Sequence, residues 1–142
     1  MIKLTAKQIS AAINGELFAS SSLQDFTVSE IITDSRTCFG GTNAAFFALS
    51  GPVFNGHNYI AQLRKKGVQL FIVSNKSFID NKASNILVKD TILALQQLAA
   101  YNRKQFSKSV IGITGSNGKT IIKEWLYDLL STELKIVRSP KS

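Results

Sequence analysis

Apolar residues recur along this chain at two alternating spacings, and the alternation predicts an order of elements. Ile9, Ala12 and Ile13 follow at helical intervals behind Thr5, which stands three residues ahead of Gln8 in a capping-box arrangement, and the pattern stops at Gly15. Residues 6–14 therefore read as a short amphipathic helix. The polar stretch Ser20-Ser21-Ser22 precedes a strand-like segment from Phe26 to Thr33, which runs into Asp34-Ser35-Arg36. Gly40-Gly41 marks a turn. Ala44 to Leu49 (AAFFAL) is a short apolar strand with Phe46 and Phe47 aimed at opposite faces, and Ser50 to Gly56 is a turn-rich loop. Ile60 and Leu63 give residues 57–66 helical spacing, with basic residues in the last turn and Gly67 as the stop. Val68 to Val73 (VQLFIV) and Ile86-Leu87-Val88 are unbroken apolar runs, as in strands covered on both faces. Asp90 caps a long helix over 91–106, with Ile92, Leu95, Leu98, Ala99 and Phe106 on or near one face.

Strands alternating with helices define an α/β layered fold. A second unit is expected from Ser107-Lys108-Ser109 onward. Val110 to Thr114 (VIGIT) reads as a buried strand, Gly115-Ser116-Asn117-Gly118 as a tight loop, Lys119-Thr120 as the opening of a helix to Ser131, and Leu134 to Val137 as a strand. On that helix Trp125, Leu126, Leu129 and Leu130 read as core. So short a strand–loop–helix–strand cannot bury its own sheet. The sequence is therefore expected to be one whole domain, 1–107, and the truncated start of another, 108–142.

Composition narrows the chemistry. The chain has 142 residues, of which 44% are hydrophobic, enough for a packed core and unlike a disordered chain. A single cysteine, Cys38, excludes a disulfide framework and a cysteine-based zinc site, and without a histidine or carboxylate beside it in sequence it reads as inert. No apolar run approaches the roughly 18 residues of a membrane span, and the start lacks the apolar centre of a secretory signal, so a cytoplasmic protein is expected. The net charge of +8 is dispersed: residues 1–107 carry 11 basic and 6 acidic side chains, residues 108–142 carry 6 and 3. Nucleic-acid readers cluster their charge more tightly, so an anionic small substrate or a solvated surface fits better.

The sharpest motif is Thr114-Gly115-Ser116-Asn117-Gly118-Lys119-Thr120. Glycines let successive backbone N–H groups turn inward around phosphate oxygens, and the positive end of the following helix lies at the same point. Lys119 reaches terminal phosphates, and the Thr120 hydroxyl joins the shell of Mg2+. The common pattern G-x-x-x-x-G-K-[ST] would need glycine where Ile113 stands, so this is the shorter form G-x-x-G-K-T, made specific by the strand before it and the helix after it. The groups offered to nucleotide phosphates run through Gly115, Ser116, Asn117, Gly118, Lys119, Thr120 and Ile121.

GITGSNGKT followed by Lys123-Glu124 resembles the ATP-binding start of the Mur ligases. So do INGEL at 13–17, TDSR at 33–36, AFFALSG at 45–51, NGHNYI at 55–60, KKGV at 65–68 and ILVKDTILALQQLAA at 86–100. Ser116, Lys123-Glu124 and VKDT favour the MurF branch over the MurE branch; GKTIIKEW and IVRSPKS are similar to a subgroup fused to an alanine racemase, although nothing here is racemase-like. The resemblance implies a three-layer uridine-nucleotide-binding domain over 1–107, with its linker helix, and the first strand–P-loop–helix–strand of a central ATP-binding domain over 108–142. It implies ATP-driven ligation of D-alanyl-D-alanine to UDP-N-acetylmuramoyl-tripeptide through an acyl phosphate. Lys119 would neutralise the transferring phosphate and Thr120 would hold Mg2+, with the fragment alone inactive. For the uridine nucleotide it points to Thr33, Ser35 and Arg36 and to a second loop with Pro52, Val53, Phe54 and Asn55, where apolar residues replace the expected polar ones.

Each of these has a plainer reading. Asp34 and Arg36 can simply lock a strand end, Asp34 forming an Asx turn. His57, the only histidine, reads as a capping or surface residue. A MurE-type ligase, a folylpolyglutamate synthetase, a non-catalytic nucleotide-binding regulator and a basic nucleic-acid-binding module are the alternatives; the synthetase lacks a TDSR domain ahead of its phosphate loop. Oligomeric state is not legible.

Overall fold

Residues 3–18, 26–38, 40 and 43–140 are described by the computed structural model of the chain, which divides into two units, Met1–Phe106 and Ser107–Ser142. The stretch Ser20-Ser21-Ser22 and Gly41 of the expected turn lie outside the described residues.

The first unit begins with β1 (Leu4–Thr5) and α1 (Ala6–Ala12). The capping box forms: the Thr5 N–H donates to Gln8 Oε1 at 2.9 Å, and the Gln8 N–H returns to the Thr5 hydroxyl at 3.3 Å. Helix α1 ends at Ala12, two residues short of the expected 6–14, and Asn14 beyond it takes the left-handed conformation at φ 50°. Gly15 serves a different end. A Cβ there would stand 2.3 Å from Ile86 Cγ2 and 3.2 Å from the Leu87 carbonyl oxygen, so only a bare backbone lets the chain lie against the strand beside it. That approach starts β2 (Glu16–Phe18), which pairs antiparallel with β7 (Ser84–Leu87), Leu17 opposite Ile86.

The segment expected as one strand from Phe26 to Thr33 is two. β3 (Thr27–Val28) joins β1 in a two-stranded sheet, and β4 (Glu30–Ile32) joins the main sheet, with Ser29 as the break. The Ser29 and Glu30 N–H groups both donate to the Asn43 carbonyl, at 2.9 and 3.3 Å, so the chain changes partner there. β5 (Ala44–Phe47) and β6 (Leu70–Val73) complete a five-stranded sheet in the order β2-β7-β6-β5-β4, parallel except for β2.

Every residue of β5 and β6 is buried, as their unbroken apolar runs require. Alternate side chains feed two cores. Ala45, Phe47, Leu70, Ile72 and Ile86 pack with Ile9 and Ile13 and with Leu98 of α3 (Thr91–Gln105); Ile32, Phe46, Phe71 and Val73 pack with Ile60 and Leu63 of α2 (Ile60–Lys65). The sheet thus has helices on both faces, an α/β/α arrangement. Residues 57–66 are not all α-helical: Gly56–Tyr59 is a 3₁₀ turn capped by Asn55, and α2 follows. Asp90 caps α3, accepting the Ile92 and Leu93 N–H groups at 2.7 and 2.9 Å. The inner stripe of α3 is Thr91, Ala94 and Leu98 with Leu95 half-buried, whereas Ile92, Ala99 and Phe106 are exposed.

In the second unit α4 (Lys119–Leu130) forms, but the two expected strands do not: 107–118 and 131–140 contain neither helix nor strand. Ile111 is 63% exposed and Val137 is 94% exposed. A strand exists by virtue of a neighbour that accepts its hydrogen bonds, and the described residues of this unit supply none. The reading of Trp125, Leu126, Leu129 and Leu130 as core is corrected for the same reason. Trp125 and Leu129 are 70% and 71% exposed, and the other two are half-buried. The segment after α4 instead returns to it through polar groups: Lys123 Nζ donates to the Ser139 carbonyl at 3.0 Å, Arg138 pairs with Glu124, and its guanidinium lies 4.1 Å from the centre of the Tyr127 ring.

Substituting Gly15→Ala is expected to lower stability by about 1–3 kcal/mol, the range for forcing a methyl group into a filled space. Urea unfolding of the two forms should show a lower midpoint with an unchanged slope.

Candidate functional site

Two groups of residues carry the candidate chemistry, one in each unit. In the second unit the loop from Gly115 to Gly118 is built on backbone that side chains resist: Gly115 has φ 144° and Gly118 φ 77°. Gly118 is the cap residue of α4 and contributes no side chain to it. The first intrahelical bond of α4 runs from the Ile122 N–H to the Gly118 carbonyl at 2.9 Å. The N–H groups of Lys119, Thr120 and Ile121 precede it and point out of the helix end. The Lys119 ammonium donates to the Gly115 carbonyl at 2.6 Å, which draws the side chain back across the loop. Ser116, Asn117 and Thr120 are exposed, so loop, hydroxyl and amides all face solvent. Convergent N–H donors, a helix dipole and one ammonium fit a polyphosphate; the Thr120 hydroxyl beside them is the group in the motif that fits a magnesium ion.

In the first unit the two loops singled out by sequence both leave the carboxyl ends of parallel strands, where open α/β sheets take their ligands. Thr33-Asp34-Ser35-Arg36 follows β4, and Ser50 to Asn55 follows β5. Asp34 caps a 3₁₀ turn, Ser35–Thr37, by accepting the Arg36 N–H at 2.9 Å. It also takes the Arg36 guanidinium in bidentate fashion, Nε at 3.0 Å and Nη2 at 2.6 Å. The structural reading of this triplet is therefore realised: Asp34 forms the Asx turn and the ion pair. The guanidinium, followed by the Arg36 backbone N–H, holds the Asp34 carboxyl down to about 2, and the carboxylate raises Arg36 above its ordinary value. Ser35 is buried, whereas Thr33 and Arg36 are exposed and accessible to a ligand.

The second loop closes on itself, the Gly51 N–H donating to the Phe54 carbonyl at 2.7 Å and Ser50 bridging to Asn55. Pro52 and Val53 stand exposed at its tip. Phe54 stacks on Tyr59 with ring centres 5.6 Å apart and planes 17° apart. The loops thus present a cation and an aromatic surface at one sheet edge.

His57 departs from expectation. It is buried, not a surface or capping residue; the cap is Asn55, whose Oδ1 accepts the His57 N–H at 3.1 Å. The residue proved to be internal because Phe78, on a 3₁₀ turn (Lys76–Phe78) that sequence did not suggest, covers its ring at 4.8 Å. Cys38 is buried in the core with α2, consistent with an inert thiol. Among the described residues, no three His, Cys, Asp or Glu side chains gather as a metal cluster, and no helix is long and apolar enough to cross a membrane.

A mixed α/β/α sheet with candidate ligand loops at its strand ends, joined in sequence to a glycine–lysine loop suited to phosphate, is an arrangement that fits a nucleotide-using α/β protein. The chain belongs to the Mur ligase family: the family model described as "Mur ligase family, catalytic domain" matches residues 27–103. The match includes both loops of the first unit and ends ahead of Gly115. Among known proteins, the chain is 37% identical over 131 residues to the UDP-N-acetylmuramoyl-tripeptide–D-alanyl-D-alanine ligase of Escherichia coli K12, covering 92% of this chain and 27% of that one. It resembles a crystal structure of MurF from Acinetobacter baumannii at 38% identity and a TM-score of 0.80, covering 97% of this chain and 30% of that one. It also resembles MurF ligase from Thermotoga maritima in complex with ADP, at 30% identity and a TM-score of 0.64, covering 80% and 26%. The chain spans less than a third of the length of the curated relatives it matches.

The Asp34 carboxylate should titrate near pH 2 when followed by NMR, and Arg36→Ala should return the midpoint toward the ordinary 3.8. Because the folded value lies below the unfolded one, the stabilisation from this pair is complete above about pH 3.8 and is lost as pH falls through about 2.

Proposed function

We propose that this chain forms part of a MurF-type ligase, which joins D-alanyl-D-alanine to UDP-N-acetylmuramoyl-tripeptide at the expense of ATP. The observation that carries this reading is the Gly115–Thr120 loop, with its N–H groups open at the start of α4, in a chain similar along nearly its whole length to ligases of that name. In the proposed reaction the terminal carboxylate of the tripeptide attacks the γ-phosphorus, ADP leaves, and the amine of D-alanyl-D-alanine attacks the resulting acyl phosphate and releases phosphate.

The residues here act by position and charge. The N–H groups of residues 119–121 and the loop from Gly115 to Gly118 grip the β-phosphate. The Lys119 ammonium, now on the Gly115 carbonyl 2.6 Å away, transfers to the phosphate oxygens, where its charge is needed as the transition state spreads negative charge. Mg2+ would be held by Thr120 and would supply further neutralisation of the phosphates. In the first unit Arg36 would meet the diphosphate of the uridine nucleotide, and Phe54 on Tyr59 would offer the apolar surface beside it. Ser35, Thr33, Pro52, Val53 and Asn55 would line the approach as loop backbone more than as side-chain ligands. We assign the activity to the cytoplasm, where ATP and nucleotide-linked precursors occur together.

In the whole protein, ligation should proceed with D-alanyl-D-alanine and not with single amino acids, which separates this activity from that of the MurE branch. Lys119→Ala should lower kcat/KM by about 10²–10³, the usual loss of one preorganised charge at a transferring group. Undiminished ligation in that variant would refute the role given to the loop. Calorimetric titration with UDP-N-acetylmuramoyl-tripeptide should show binding to the first unit's site; none at millimolar ligand would refute that site.

A further inference from the structure

His57 is tied on both ring nitrogens to segments that leave adjacent strands. The Ser74 N–H, immediately beyond β6, lies 3.1 Å from Nε2, so Nε2 must be the unprotonated acceptor. Nδ1 then carries the proton and donates to Asn55 Oδ1 at 2.8 Å. The same oxygen accepts the His57 N–H at 3.1 Å and the Ser50 hydroxyl at 3.2 Å, so three donors fix the orientation of the Asn55 amide. Ser50 and Asn55 are the two ends of the loop that carries Phe54. One neutral imidazole thus closes the base of that loop and fastens it to the end of the neighbouring strand. A protonated ring would set an Nε2–H against the Ser74 N–H and take that N–H's acceptor away, leaving the Ser74 hydroxyl, 3.4 Å from Nε2, to receive the ring proton in place of the backbone bond.

We propose that His57 is a positioning residue for the nucleotide substrate: as the neutral Nδ1–H tautomer it pins the Ser50–Asn55 loop to the end of β6, and the pinned loop is the form that binds the anionic uridine diphosphate group. This rests on the assignment of that loop to the uridine nucleotide. Burial lowers the pKa of His57 from its ordinary 6.5, and no charged neighbour contributes to the shift. The titratable groups on the elements around it are Tyr59 on its own turn and Lys76 on the turn that carries Phe78; neither forms a hydrogen bond or ion pair with the ring among the described residues. The pinned form therefore prevails at neutral pH and is lost on acidification.

The sign of the effect separates this role from simple attraction. An imidazolium near a diphosphate would strengthen binding as pH falls, whereas release of the loop weakens it. The test is calorimetric affinity of the whole protein for UDP-N-acetylmuramoyl-tripeptide as pH falls through the His57 titration midpoint, itself located by NMR of the ring, where the ligand's diphosphate keeps its charge and His57→Gln reports the share of any other titrating group. Affinity should be level near pH 7 and fall below the His57 pKa by up to about tenfold per pH unit. His57→Phe, which fills the space without hydrogen bonds, should bind more weakly throughout and raise KM for the nucleotide with kcat unchanged. His57→Gln, which keeps an acceptor for the Ser74 N–H and does not titrate, should restore most of the affinity and abolish the pH dependence. Wild-type binding that is flat or strengthens as pH falls through the measured His57 midpoint, or a well-folded His57→Phe that binds as tightly as wild type, overturns the role of His57 and leaves the nucleotide site standing. Failure of the wild type to bind at any pH overturns the site and the proposal together.

Discussion

Burial of both faces of the β5–β6 pair is the constraint from which the rest of the first unit follows. Ala45 lies opposite Leu70, Phe46 opposite Phe71 and Phe47 opposite Ile72, with alternate residues committed to different cores. A slip of one residue would send every side chain of a strand into the wrong layer, so the register has no near competitor. Fixed register fixes the strand ends. It is why Ser50 and Ser74 emerge close enough for one imidazole to span them, and why the loops after β4 and β5 open at the same edge.

The two candidate sites are made in different ways. The phosphate loop is a property of backbone: positive φ at two glycines and a helix end without a side-chain cap. It can be read from a few consecutive letters and it forms even where the surrounding strands do not. The loops of the first unit depend on side chains brought from separate strands, and their polar groups are largely engaged with one another, Arg36 with Asp34 and Asn55 with His57. A ligand arriving there meets groups that already have partners and must compete for them.

That difference explains what was legible in the sequence. The capping box of α1, the Asp90 cap of α3, the apolar runs of β5 and β6 and the loop ahead of α4 are all local patterns, and each occurs where it was expected. The division of Phe26–Thr33 was not legible, because it arises when Ser29 and Glu30 share the carbonyl of Asn43, the residue just ahead of β5. β2 was missed because its pairing relies on Gly15 lying against Ile86, a contact 71 positions apart in the sequence. His57 was misread because its burial comes from Phe78 and its bonding from Ser74. The strands expected around the phosphate loop had the right composition and, among the described residues, no partner, and composition alone does not make a sheet.

Glycine at position 118 forgoes the side-chain hydrogen bond that a serine or aspartate would give at such a helix start, a difference of only about a few tenths of a kcal/mol. Helix α3 has Asp90 in that role and α1 has Thr5, but α4 has only backbone. Bound phosphate would supply to α4 what those residues give α1 and α3 from within. The first turn of α4 would then tighten when nucleotide is present and fray when it is not, making amide exchange at that turn a direct gauge of occupancy.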